Sequence, residues 1–182
     1  MRIEPEIDAA AIVLLGSFNP KIFQPFWFAR HGLVSDDEAD SANISVIHSD
    51  ITAFEIESFT LRVERERFAL ERKIAPLIVI SDLAGRVFGD LLPHTPLRAL
   101  GINRHVHFDV GDAEKRDRIG EMLAPRLPWG KWGEQVSSGE GAKHGGLLSL
   151  ALIQRNVSDR PDGWIQAKIE PSVRLQGGRA GI

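Results

Sequence analysis

Thr52-Ala53-Phe54-Glu55-Ile56-Glu57-Ser58-Phe59-Thr60-Leu61-Arg62-Val63 is the stretch that decides the fold class of this chain. Thr52, Phe54 and Ile56 share one parity, the period of a half-buried strand. From Phe59 the apolar positions become Phe59, Leu61 and Val63. A one-residue slip turns every side chain to the other face, so this change demands a bulge or short turn near Glu57-Ser58. Upstream, Ile44, Val46 and His48 alternate with Asn43, Ser45 and Ile47. Downstream, Glu64 to Arg67 reads as a hairpin connection into Phe68-Ala69-Leu70. The whole stretch predicts an antiparallel meander with one wet face. Arg62, Arg65, Arg67, Arg72 and Lys73 interleave with Glu64, Glu66 and Glu71. Such alternation marks a solvated hairpin whose charges protect its edges.

Outward from the meander, Ala9 to Leu15 is a continuous apolar run ending at Gly16 and reads as a buried strand. Asn19 and Pro20 suit a helix cap and first turn, Pro25 opens the regular helix, and Gly32 ends it. Ser35 to Ser41 reads as an acidic loop. Pro76 opens the clearest helix, running to Leu92 and closed by Pro93 and Pro96. Its Leu77, Ile80, Leu83, Ala84, Val87, Phe88 and Leu91 follow helical spacing. Leu97 to Val110 reads as one strand with Leu100, Ile102, Val106, Phe108 and Val110 on one face, the face expected to receive Ile80, Leu83, Val87 and Leu91. Asp112 caps a charged helix through Leu123, with Ile119, Met122 and Leu123 expected inside. Pro125 to Gly146 reads as a long loop. Leu147 to Gln154 and Trp164 to Leu175 read as two last strands, joined by a Ser158-to-Gly163 turn.

The order is β-α-β-β-β-α, then β-α-β-β. It predicts the α+β class: an antiparallel curved sheet with helices packed on one face, in a pseudo-duplicated layout. The expectation is a single domain over 1–182, or two half-repeats, 1–95 and 96–182, the second incomplete. The glycine-rich end, Gly177-Gly178-Arg179-Ala180-Gly181-Ile182, suggests a longer parent protein.

The chain has 182 residues, 43% of them hydrophobic and 26% charged, and a formal charge of −3. That composition is globular, and the near-balance of charge supplies no whole-protein field for nucleic acid or an anionic membrane. There is no cysteine. A disulfide framework, a thiolate zinc site and a cysteine nucleophile are therefore excluded, and a reducing cytoplasm is the expected compartment. The acidic, proline-bearing start, Met1-Arg2-Ile3-Glu4-Pro5-Glu6, lacks the basic and apolar regions of a signal peptide. No apolar run is long enough to span a bilayer.

Two segments carry a resemblance. Ser17-Phe18-Asn19-Pro20-Lys21-Ile22-Phe23-Gln24-Pro25-Phe26-Trp27-Phe28 and His94-Thr95-Pro96-Leu97-Arg98-Ala99-Leu100-Gly101-Ile102-Asn103-Arg104 together resemble a widespread group of bacterial proteins with no assigned activity. Gly101-Ile102-Asn103-Arg104 is more loosely similar to the arginine-tyrosine-isoleucine-asparagine-arginine core strand of a sporadic bacterial family. The resemblance implies a bacterial, cytoplasmic origin and no particular chemistry. The predicted layout also resembles, in shape alone, the TATA-box-binding-protein-like folds.

Asn103, His105, His107 and Asp109 share one parity, opposite Ile102, Val106 and Phe108. Two histidines at i and i+2 lie about 7 Å apart on a strand and can converge on one ion. Asp109 would complete a three-ligand set for a divalent metal, with Asn103 the nearest group to orient an imidazole. His48 and His144 are the candidates for a further ligand. The bland alternative is a solvated face of polar side chains. Arg104 breaks the apolar parity, so it must be ion-paired or lie at a sheet edge, with Glu55, Glu57 or Asp82 as partner; the alternative is an anion-binding arginine. Trp129 and Trp132, flanking Lys131 and two glycines, either fold back on the core or stack on bases or sugars. Ser137 to Gly146 has the composition of a phosphate loop without its residue order, so nucleotide binding by that motif is rejected.

The expected function is a noncatalytic binding or assembly module. Its partner face would hold Asn103, Arg104, His105, His107, Trp129 and Trp132, and would take a protein partner or a second copy. A homodimer or heteromeric contact is expected near Trp164 to Leu175, where an incomplete second half leaves an open sheet edge. No motif calls for a cofactor. The alternatives are a metal-dependent hydrolase built on His105, His107 and Asp109, and nucleic-acid binding by the sheet face.

Overall fold

A computed structural model describes residues 4–138, 147–157, 160–175 and 180–182. The chain divides into two compact units, one spanning Ile7–Val106 and one drawn from residues 1–6 and His107–Ile182. The fold is α+β with a mainly antiparallel sheet, as the alternation predicts.

In the first unit β1 (Ile7–Gly16), β2 (Asn43–Ile47), β3 (Ile51–Glu55), β4 (Thr60–Glu64), β5 (Arg67–Arg72) and β6 (Leu97–His107) form one sheet, ordered β2-β3-β4-β5-β1-β6. The parity change at Glu57-Ser58 is a tight turn, closed by Ile56 N donating to Phe59 O at 3.0 Å. Two cross-strand rows then follow from the register. Phe54 faces Leu61, Leu61 faces Leu70, and Leu70 faces Ile12; Thr52 faces Val63, Val63 faces Phe68, and Phe68 faces Leu14. All eight side chains are buried. Between the helices lie four strands rather than the expected three, because Arg67–Arg72 pairs fully with both β4 and β1.

The helices supply the other side of this core. Asn19 Oδ1 accepts from Lys21 N and caps a 3-10 turn over Pro20–Ile22. Pro25 opens α1 (Pro25–Arg30), and Gly32, with φ of +60°, follows its end, as expected. Thr52 Oγ1 donates to Pro20 O at 2.9 Å, so the one buried polar side chain of the sheet rows is satisfied. The expected acidic loop is instead α2 (Asp36–Asp40), whose Ser35 and Glu38 form a reciprocal capping box. The predicted Pro76–Leu92 helix starts later, as α3 (Val79–Gly85), and continues through a π-helical turn over Arg86–Leu91. Ile80, Leu83, Ala84, Val87 and Phe88 are buried, in agreement with the spacing.

Their packing partner differs from the expectation. α3 packs on β1 and β5, and β6 lies beyond β1 at the sheet edge. Leu100 and Ile102 on β6 are 57% and 58% exposed, so α3 does not cover that part of the expected face; Val106, Phe108 and Val110 are half-buried.

In the second unit the expected Leu97–Val110 strand is interrupted at Phe108. Phe108 N donates to Ile182 O at 2.8 Å, and its carbonyl accepts from Ile182 N at 3.1 Å. β7 (Asp109–Gly111) pairs antiparallel with β10 (Ala180–Gly181). Asp112 caps α4 (Ala113–Leu123), its Oδ1 accepting from Lys115 N at 2.8 Å. Ile119 is half-buried, but Met122 and Leu123 are exposed rather than internal. Gly120 is the buried position, and a Cβ there would lie 2.7 Å from that of Leu147. The predicted 125–146 loop contains a 3-10 turn over Leu127–Trp129 and α5 (Gly130–Ser138). β8 (Leu150–Val157) and β9 (Arg160–Ile169) form a separate hairpin, with an irregularity at Asn156, whose φ is 55°. β9 thus begins before Trp164 and ends well before Leu175. The expected half-repeat boundary at 95/96 falls before β6, whereas the units divide at Val106, because β6 joins the sheet of β1.

Candidate partner-binding edge

β6 is the last strand of the six-stranded sheet, with β1 on one side. Ser17 N donates to Pro96 O at 3.0 Å, and Arg104 reaches back to Asp8, so β6 runs antiparallel to β1. Gly16 permits the close approach at one end, since a Cβ there would overlap Pro96 O. The outer side of residues 97–106 has no strand partner among the described residues. A row of main-chain donors and acceptors therefore faces outward.

Both faces of this strand are open. Arg98, Leu100, Ile102 and Arg104 share one parity; Leu97, Ala99, Asn103 and His105 share the other, and all eight are exposed. Arg104 lies on the edge strand and is also ion-paired, with Asp8 rather than Glu55, Glu57 or Asp82. Its Nε and Nη2 donate to the two carboxylate oxygens at 3.0 and 2.8 Å. The hydrogen bond from Arg104 is the main reason that Asp8 titrates below the ordinary 3.8; partial desolvation opposes it and the Arg104 charge adds to it. A depressed carboxyl pKa contributes stability above its unfolded value, and that contribution is lost as pH falls through the folded one. Carbon-detected titration of Asp8 should show a midpoint below 3.8 that returns to the ordinary value in Arg104→Ala. An unchanged midpoint would dissolve the pair.

The remaining sequence candidates separate. His107 Nδ1 lies 2.7 Å from Ser172 Oγ, and Asp109 Oδ1 accepts from Gly111 N at 2.7 Å. Among the described residues no three His, Asp or Glu side chains gather as metal ligands, so His105, His107 and Asp109 do not form the expected set. Shared parity requires an unbroken strand, and this one breaks at Phe108. His48 is engaged with Asp50, Nδ1 to Oδ2 at 3.2 Å, and His144 lies outside the described residues. Trp129 and Trp132 pack on each other, ring centroids 5.4 Å apart, and are 63% and 60% exposed; they do not fold back on the core. The charged meander behaves as a solvated hairpin, with Arg62 Nη2 on Glu64 Oε1 at 2.7 Å.

The two segments that carry the sequence resemblance meet in space. Phe18, Ile22 and Phe23 from one, with Pro96 from the other, help line an open cleft of about 330 Å³. No protein-family model, curated protein or solved structure matches the chain.

Large apolar residues occur at both parities of β6, Leu97 on one and Leu100 and Ile102 on the other. The same pattern fits a strand buried on both faces, so the open edge follows from the sheet order and not from local spacing.

Proposed function

We propose that the chain is a noncatalytic binding module that takes a protein partner by strand addition along β6. The carrying observation is a long outer strand, unpaired on its far side among the described residues, with Leu97, Leu100 and Ile102 exposed. Main-chain hydrogen bonds to such an edge give affinity, and alternate side chains give specificity. Natural sheets shorten, bulge, cover or charge their edges to prevent pairing, and β6 keeps eleven regular residues, with arginines only at Arg98 and Arg104.

Titration with a neutral alternating peptide, acetyl-Thr-Val-Thr-Val-Thr-Val-Thr-amide, should shift the backbone amides of residues 97–106 in heteronuclear NMR spectra. The double variant Leu100→Lys, Ile102→Lys should weaken that response about tenfold, the effect of losing roughly 1.4 kcal/mol of apolar contact. Titration that leaves the β6 amides unmoved with every strand peptide would end this reading.

Assembly through the β8–β9 hairpin is a second reading. In its register Leu152 lies opposite Ala167 and Gln154 opposite Ile165, so Leu150, Leu152, Ile165, Ala167 and Ile169 share one face. Leu152 and Ile165 are exposed, and a two-stranded hairpin is only marginally stable by itself. Light scattering across a concentration series, with Ile165→Lys as control, reads this contact separately from β6.

A further inference from the structure

Resting on the strand-addition reading, we infer that the strand received by β6 is acidic at both ends of a short apolar centre. The face formed by Arg98, Leu100, Ile102 and Arg104 reads cation, apolar, apolar, cation at two-residue spacing. Directly opposite residues of an antiparallel pair lie on the same face, so the complement is acid-x-apolar-x-apolar-x-acid. Residues 97–106 contain two arginines and a histidine and no carboxylate, in a chain whose net charge is −3. Asp8 on β1 balances Arg104, so Arg98 carries the uncompensated positive charge of this edge.

The guanidinium groups keep donors to offer. Arg104 directs Nε and Nη2 at Asp8, and a guanidinium has five N–H donors. Arg98 makes one long contact, Nη2 to Gly16 O at 3.5 Å. Both side chains stand in solvent beside the open edge. A second copy of the same strand fits poorly. Antiparallel self-pairing centred on Gly101 sets Arg98 opposite Arg104, and like charges directly opposite are destabilising. The same arginines that discourage self-association select a partner of opposite sign.

The test compares three heptapeptides, acetylated and amidated: Glu-Thr-Val-Thr-Val-Thr-Glu, Lys-Thr-Val-Thr-Val-Thr-Lys, and a neutral counterpart with the same valine positions, Gln-Thr-Val-Thr-Val-Thr-Gln. Each is titrated into the full chain while the amides of residues 97–106 are followed. The acidic peptide should bind about five- to tenfold tighter than the neutral one, the range expected of two exposed ion pairs. That preference should shrink as salt is raised from about 20 to about 500 mM, because screening weakens exposed ion pairs. Arg98→Glu should abolish the preference for the acidic over the basic peptide, with amide dispersion elsewhere in the spectrum confirming the fold. Equal binding of all three peptides, or a preference untouched by Arg98→Glu, would overturn the acidic partner and leave strand addition standing. Absence of any β6 response, or a response confined to other residues, would overturn both.

Discussion

Phe68→Ala is expected to destabilise the protein by about 3–5 kcal/mol, the cost of removing a buried aromatic ring from a core that relaxes only partly. Phe68 is 0% exposed. Its ring stands 5.4 Å from Phe23, 4.9 Å from Phe88 and 6.1 Å from Phe18, centroid to centroid. The contacts to Phe23 and Phe88 are edge-to-face, the arrangement favoured by the ring quadrupole. One side chain thus joins the sheet to the 3-10 turn and to the π-helical end of the α3 segment. Urea unfolding followed by tryptophan fluorescence and by far-ultraviolet dichroism checks the value. A loss below about 1 kcal/mol, the ordinary range for surface changes, would show that the three aromatic neighbours do not meet there.

Leu83→Ala should cost about 2–5 kcal/mol, whereas Ile102→Ala should stay within about 0.5 kcal/mol. The contrast tests which strands α3 covers. Leu83 is buried in the layer against β1 and β5, and Ile102 stands open on the edge strand. Had α3 packed on the Ile102 face, as the shared apolar periodicity suggested, both truncations would open cavities. Matching losses in the two variants would restore that arrangement and close the β6 edge.

The meander was legible because its determinants are local. Phe54 and Leu61 have opposite parities on either side of two polar residues, and only a turn reconciles them. Asp112 was legible as a cap for the same reason: its carboxylate accepts from Lys115 N, three residues on. α2 carried an equally local signal, Ser35 followed by Glu38, that the run of acidic residues concealed. α5 was hidden by Gly130 and Gly133, which lower helix propensity. Gly133 is there for packing, since a Cβ would approach Arg126 O to 2.5 Å.

The open edge at β6 was less legible. Arg104 announced that its parity was not simply apolar, but its partner, Asp8, lies 96 residues away. The break at Phe108 depends on Ile182. Neither distance leaves a trace in local spacing.

By itself the sequence determined that this chain builds an α+β fold, where the meander turns at Glu57-Ser58, which residues of α3 face inward, and that no cysteine chemistry is available. Tertiary structure alone decided that α3 covers β1 and β5, that β6 is left at the edge, and that His105, His107 and Asp109 are not a metal set. The physical reason is that periodicity reports which side chains of an element share a face. Whether another element covers that face depends on contacts between distant segments, and those are settled only when the sheet order is formed.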